Sequence, residues 1–488
     1  MSGLPLKHLA AIPVLFLLYF YGLSGVGMLG PDEPRYASIG REMAVSGDWV
    51  TPRLWGQPWF EKPALLYWLI ALGYTAGLND DLAPRVPLAI LSAAFLVFFF
   101  HQIRREFGET AALFSVIILA TSVGWLAYSQ VAVTDIPLAA TFSGALLLCL
   151  PWVRSGGRRG LVIGGVLLGC AVLAKGLVPL VLILPVLAVV RRRWPDLLIF
   201  FGSAVAIALP WYFLCWLENG QAFVDEFFWR HHFSRFVSGE LKHVQPWWFY
   251  LPVLTGFLFP WTPMLAPLFQ KAAWQDKRRL LLLLTILWGL LFFSISSNKL
   301  PGYILPLLPP IAAAMGVALA EHRGSPWIFG ISGFLTGLFA PAAAILPAAM
   351  VDGLSRAAWS IPFWAFAALP VGLAAWILDG RKHRLAAFGA IAASTVLAIV
   401  SVKTLTYPTL DQVVSARPVW RKLQVTEQKE RCVGDVSKDL LYGLNFYAGQ
   451  QMRHCEASRV TNYNNLYRDI GVWQSEGKQS PLERQTRQ

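Results

Sequence analysis

Asp32, Glu33 and Arg35, followed by Glu61 and Lys62, place three carboxylates and two cations in one polar stretch, GPDEPRYASIGREMAVSGDWVTPRLWGQPWFEKP, of an otherwise apolar chain. Carboxylates are the side chains that take protons from hydroxyls, and cations are those that hold anions. At bilayer depth each charge costs about 2.5–3.5 kcal/mol unless water or a partner satisfies it, so a cluster of them marks a hydrated site. Asp135 in Val133-Thr134-Asp135-Ile136-Pro137, Lys175 in Ala174-Lys175-Gly176 and Lys299 in Asn298-Lys299-Leu300-Pro301-Gly302-Tyr303 add to the set. Two plainer readings stand beside this one. Asp32 could merely cap a helix starting at Glu33 or Pro34, a reading that the neighbouring Arg35, Glu61 and Lys62 outweigh, and Lys299 reads as well as a snorkelling or helix-capping residue.

The elements that must position these groups are membrane spans. Of 488 residues, 56% are apolar and 14% charged, against about 25% charged in soluble domains. A water-soluble globule is excluded, as are collagen-like, disordered and disulfide-scaffold classes. Apolar segments fall at 9–29, 84–100, 110–128, 134–152, 160–174, 177–190, 196–216, 247–270, 279–297, 301–320, 325–350, 358–378 and 385–404, giving about 13 transmembrane helices. Residues 160–174 and 177–190 are short for a hydrocarbon core and are expected to be tilted, broken or shielded. The segment at 9–29 reads as an uncleaved anchor, because no small-x-small cleavage site precedes residue 30.

The net charge of +13 does not point to nucleic acid, because the basic residues cluster between spans. With the N-terminus cytoplasmic, seventeen Lys and Arg fall in the internal connections and three in the short external ones, as the positive-inside rule requires. That orientation puts residues 30–83, 217–246 and the tail from 405 outside. Within the first loop, Tyr36, Ile39 and Met43 share one face of a helix expected to lie on the membrane surface, opposite Arg41 and Glu42. Residues 1–404 form the membrane domain, and 405–488 a small mixed α/β external domain with a disordered end. Cys149, Cys170 and Cys215 read as packing residues; Cys432 and Cys455 would share an oxidising compartment, and sequence alone does not fix their distance. In Phe227-Phe228-Trp229-Arg230-His231-His232 the adjacent histidines point apart on a helix, so spacing alone favours an interfacial hydrogen-bonding role over a metal site.

The runs Asp32-Glu33-Pro34-Arg35-Tyr36-Ala37, Arg41-Glu42-Met43, Ser46-Gly47-Asp48-Trp49, Phe60-Glu61-Lys62-Pro63 and Lys299-Leu300-Pro301-Gly302-Tyr303 resemble the GT-C membrane glycosyltransferases. Within the ArnT/protein O-mannosyltransferase superfamily they come nearest to the 4-amino-4-deoxy-L-arabinose transferases of lipid A. Pro34 and Gly302 depart from the pattern, and the tail is shorter than lipid A transferases usually carry. The resemblance implies inverting transfer of a sugar from a polyprenyl (undecaprenyl) phosphate to lipid A or another envelope acceptor, on the periplasmic side of the bacterial inner membrane, without a nucleotide cofactor. It implies that Asp32 is the catalytic carboxylate, Asp135 a second acid and Lys62 the cation facing the carrier phosphate. Arg35, Tyr36, Lys175, Arg235, Lys299 and Tyr303 would be substrate contacts. Glu61 and His232 would hold a divalent, zinc-like structural metal. A protein O-mannosyltransferase-like enzyme and a lipid-linked sugar flippase are the alternatives, and for the flippase no two-halved internal symmetry is evident.

Overall fold

The computed structural model describes residues 11–189, 194–234, 244–269, 275–321, 326–352, 363–425, 432–434 and 436–454. Every one of the thirteen apolar stretches contributes helix to a bundle around one large apolar core. Among the described residues, seven helices are long and apolar enough to cross a membrane: Val86–Phe107, Asp135–Ser155, Trp194–Arg230, Lys277–Ile295, Pro301–Glu321, Trp327–Ala349 and Arg384–Val414. The chain is a multi-span membrane protein.

The remaining stretches depart from straight spans for local reasons. The expected span 247–270 is two short helices, Tyr250–Phe257 and Thr262–Phe269, bent by 113°. Among the described residues the first helix is Ala11–Tyr19, after which the chain turns. The stretch 110–128 divides at Ser122, whose extended backbone separates Glu109–Thr121 from Val123–Tyr128. Residues 160–190 break as expected, because Gly176 adopts a φ of +73° that ends the Leu161–Lys175 helix, and Pro179 opens the next at Val178–Leu182. At 1.5 Å rise per residue a fifteen-residue helix covers about 22 Å, short of the roughly 30 Å hydrocarbon core.

The first loop is more ordered than a linker. It holds the Asp32–Ser46 helix, a two-stranded hairpin pairing Arg53 with Pro58 and Leu54 with Gln57, and an apolar helix Leu65–Thr75. Tyr36, Ile39 and Met43 are buried as one face, packed with Leu66, Tyr67 and Ile70 of the second helix. Gly40 permits this approach, since a Cβ there would collide with Ile70. The Asp32–Ser46 helix ends at Gly47, in the left-handed region, with its N–H on Met43 O.

The Arg384–Val414 helix runs through the boundary expected at 404. Beyond it lie the helices Arg417–Val425 and Lys438–Ala448 and two short parallel strands pairing Cys432 with Arg453 and Val433 with His454. Cys432 is disulfide-bonded, and Cys455 lies outside the described residues, as does the end of the tail. Arg417 ties this region to the start of the chain. It donates to Asp81 at 2.7 Å and to the carbonyls of Ser24 and Gly25 at 2.8 and 3.1 Å, and it pairs with Asp411 at 2.9 Å. Tyr447 donates to Asp81 at 2.9 Å and accepts from the Met28 N–H at 3.0 Å.

Candidate functional site

Asp32 does not cap its helix. Pro31 occupies the N-cap position without a side-chain cap bond, and Asp32 is the first helical residue. Its carboxylate is therefore released from capping and pairs with Arg35 one turn on, at 2.5 Å, while remaining 49% exposed. Both Asp32 and Glu33 sit in the first turn, where the helix dipole favours negative charge.

Arg35 bridges to Glu61 at 3.0 Å, and Glu61 faces Lys62 at 3.4 Å. Asp32, Arg35, Glu61 and Lys62 thus form a line of alternating charge whose accessible end is Asp32. Burial works against the Arg35 guanidinium, yet the carboxylate of Glu61, the Tyr36 phenol and the carboxylate of Asp32 leave it above its ordinary pKa, so it stays charged. Burial, reinforced by Glu61 and Asp32, holds the phenols of Tyr36 and Tyr67 well above their usual value, so both remain protonated.

Beneath this line lies a pair that the sequence reading passed over. Arg85 donates through Nε and Nη2 to the two oxygens of Glu33, at 2.7 Å each, and also to the carbonyls of Leu23, Val26 and Gly27. Glu33 also accepts from the backbone N–H of Leu29 at 2.7 Å and of Ala132 at 2.8 Å. Both side chains are buried, and this complete satisfaction is what makes a buried ion pair tolerable. A charged residue opening an apolar segment was the available signal for Arg85.

A second charged group is built from the ends of two helices. Asp135 begins Asp135–Leu148 and Lys175 ends Leu161–Lys175, so acid and base each complement a helix dipole. They meet at 2.6 Å, each about 13–14% exposed. Lys175 also lies over the Tyr303 ring, 4.8 Å from its centroid. Gly302 is needed here, because a Cβ would fall 2.8 Å from Asp135 Oδ1 and 2.9 Å from the Tyr128 hydroxyl. The two groups are neighbours through shared packing. Phe60, next to Glu61, lies in one apolar cluster with Val172 and Leu173, just before Lys175. Ala132, bonded to Glu33, lies three residues before Asp135.

Lys299 is spent on the backbone, donating to Ser296 O at 2.6 Å and Gln245 O at 3.0 Å, which is the helix-capping arrangement. His232 falls in the helical segment Asp225–Ser234, with its side chain outside what is described, and Arg235 is outside the described residues altogether. Glu61, the other half of the expected metal pair, already has two cations facing it. Among the described residues no group of three His, Cys, Asp or Glu is placed to hold a metal.

Against this geometry, residues 61–216 match the family described as dolichyl-phosphate-mannose-protein mannosyltransferase. The chain is 36% identical over 335 residues to undecaprenyl phosphate-alpha-4-amino-4-deoxy-L-arabinose arabinosyl transferase 2 of Pseudomonas fluorescens, covering 64% of this chain and 60% of that protein. It thus spans about three fifths of the length of such relatives. In three dimensions it is similar to the crystal structure of ArnT from Cupriavidus metallidurans bound to undecaprenyl phosphate, with a TM-score of 0.76 and 26% identity over 96% of this chain and 89% of that one. Arabinosyltransferase EmbB from Mycobacterium smegmatis, at 14% identity, a TM-score of 0.52, and 92% of this chain and 44% of that one covered, shares the fold alone.

Proposed function

We propose, from a chain that resembles the aminoarabinose arabinosyl transferases in sequence and in its GT-C fold, an inverting glycosyltransferase of the bacterial inner membrane. The donor is a polyprenyl (undecaprenyl) phosphate sugar, 4-amino-4-deoxy-L-arabinose as the first choice and another pentose or hexose otherwise. The acceptor is lipid A or another envelope molecule. The charge asymmetry of the loops supports a cytoplasmic N-terminus and a periplasmic site and tail. A thirteen-span bundle is the reading in which the short and bent helices complete crossings shielded by protein.

One observation carries the chemistry: a half-exposed Asp32 carboxylate held by Arg35 at the accessible end of an otherwise buried line of charge. In the proposed reaction Asp32 takes the proton of the acceptor hydroxyl as its oxygen attacks the anomeric carbon. The bond from that carbon to the phosphate oxygen breaks on the opposite face, and the carrier phosphate leaves with the electron pair. Lys62, with Lys175 and Arg235, offsets the charge that develops on it. In the structure Lys62 and Lys175 are paired with Glu61 and Asp135, so an arriving phosphate would share these cations with their carboxylates. Asp135 then serves to orient Lys175, whose position over the Tyr303 ring keeps the ammonium extended. A metal between Glu61 and His232 would be structural and take no part in the transfer.

The match of residues 61–216 to protein mannosyltransferases favours one second reading, a protein acceptor. Purified protein incubated with a labelled polyprenyl phosphate sugar and either lipid A or an envelope protein fraction separates the two. Label on lipid A supports the first reading, label on protein the second, and label on neither removes both.

A further inference from the structure

Four buried donor atoms in the first loop have no hydrogen-bond partner among the described residues: Arg35 Nε, Trp55 Nε1, Trp59 Nε1 and the Tyr67 hydroxyl. Buried polar groups are ordinarily satisfied, and several orphans gathered in one place call for an explanation. These belong to a single aromatic cluster. The Arg35 guanidinium lies 5.3 Å from the Tyr36 ring centroid and 5.6 Å from those of Trp59 and Tyr442. Trp55 stacks on Tyr442 at 5.7 Å and 16°, and Tyr67 lies 6.0 Å from Tyr36 and is fully buried.

A second observation concerns the backbone. Trp55 adopts a φ of +53° at the tip of the hairpin, beside Gly56 at +80°. Such a turn suits Asn or Gly, and a bulky residue there is an outlier. The turn is pinned by Gly56, whose N–H donates to Glu42 Oε1 at 2.7 Å. The strained position is what sets an indole against Tyr442, a residue of the C-terminal helix Lys438–Ala448.

The chemistry of the set selects its ligand. All four orphans offer hydrogens, so the ligand must present lone pairs. Arg35 is already paired with Asp32 and Glu61, and the other three donors are neutral, so this cluster suits neutral oxygens, while a phosphate is drawn to Lys62 and Lys175. A hydroxyl-bearing ring fits better. Its oxygens accept from the indoles, the phenol and the guanidinium, its hydroxyl hydrogens reach the carboxylates, and its C–H face lies on the aromatic rings. We propose that Trp55, Trp59, Tyr67 and Tyr442, with Arg35, form a saccharide subsite built jointly by the first loop and the C-terminal region. The proposal rests on the transferase reading for the source of the saccharide, which is either the donor's sugar or the acceptor's.

The test uses the protein in nanodiscs with Tyr67→Phe, which removes only the hydroxyl, and Trp59→Phe, which removes the indole N–H and keeps an aromatic face. Each is expected to raise KM about 10-fold, the size of one lost hydrogen bond, with the loss falling on KM rather than kcat. A raised donor KM assigns the subsite to the donor's sugar, and a raised acceptor KM to the acceptor. If both KM values stay unchanged, the subsite is overturned. Should the protein transfer no sugar at all, tryptophan fluorescence titration with methyl arabinoside and with a glucosamine disaccharide decides independently. A saturable change with either saccharide that Tyr67→Phe weakens supports the subsite, and a response to inorganic phosphate alone, or to none of the three, rejects it.

Discussion

The Glu33 carboxylate and the Arg85 guanidinium form a two-point ion pair, 2.7 Å on each side, with both residues buried. The pair fixes the first turn of the helix that carries Asp32, and through Ala132 it also fixes the approach to Asp135. Removing one partner from such a pair leaves a buried charge and costs about 3–5 kcal/mol. Glu33→Ala and Arg85→Ala are expected to lower the thermal midpoint of the detergent-solubilised protein strongly, whereas a double change to leucine recovers part of the stability without restoring turnover. Wild-type melting of Glu33→Ala would show that the pair contributes nothing.

The Asp135–Lys175 pair is predicted to serve the reaction and not only the packing. Lys175→Met should reduce turnover at least ~10-fold, the equivalent of about 1.4 kcal/mol in the barrier. The charge-reversed double variant Asp135→Lys with Lys175→Asp should stay inactive even where it is stably expressed. Recovery of activity on reversal would mean that the pair is structural.

Gly302→Ala gives a finer probe of the same place. The added Cβ meets the Asp135 carboxylate and the Tyr128 hydroxyl at 2.8–2.9 Å, so one of them must shift by tenths of an ångström. Expression and melting should stay near wild type while kcat falls several-fold, as expected for a displaced active group. Equal kcat values would place Gly302 outside the functional site.

Much of the first loop was legible in the sequence because a 3.6-residue period and a charge cluster are local signals. The period places Tyr36, Ile39 and Met43 on one apolar face, but that face packs on the Leu65–Thr75 helix and not on the membrane surface as expected, and the breaks near Lys175 follow from Gly176 and Pro179. The plainer N-cap reading of Asp32 does not apply, because Pro31 takes that position and leaves the carboxylate to Arg35. The bend within 247–270 falls at Leu258-Phe259-Pro260-Trp261, where the proline interrupts the helix, and apolar length alone does not distinguish it from a straight span. Arg85, Tyr67 and Tyr442 were missed for a different reason: their partners are 52 residues away for Arg85 and at the far end of the chain for Tyr442. Two indoles in a Trp-rich hairpin carry no spacing signature that separates a binding surface from an interfacial belt.

Arg417 is the join between the tail and the start of the chain, with two carboxylates and two backbone carbonyls as partners. Arg417→Ala should loosen the region after Val414, seen as faster limited proteolysis there, and should lower transfer because Tyr442 loses its register over Arg35. Unchanged proteolysis and unchanged transfer together would show that the tail is held by other contacts.

The most direct measurement is transfer of labelled sugar from an undecaprenyl phosphate donor to lipid A by the reconstituted protein, comparing wild type with Asp32→Asn and following both product and free carrier phosphate by mass spectrometry. The prediction is one sugar added to the acceptor for each carrier phosphate released by the wild type. Asp32→Asn should form no product while still binding the carrier. Near-normal turnover by Asp32→Asn would contradict the assigned role of that carboxylate and the mechanism built on it.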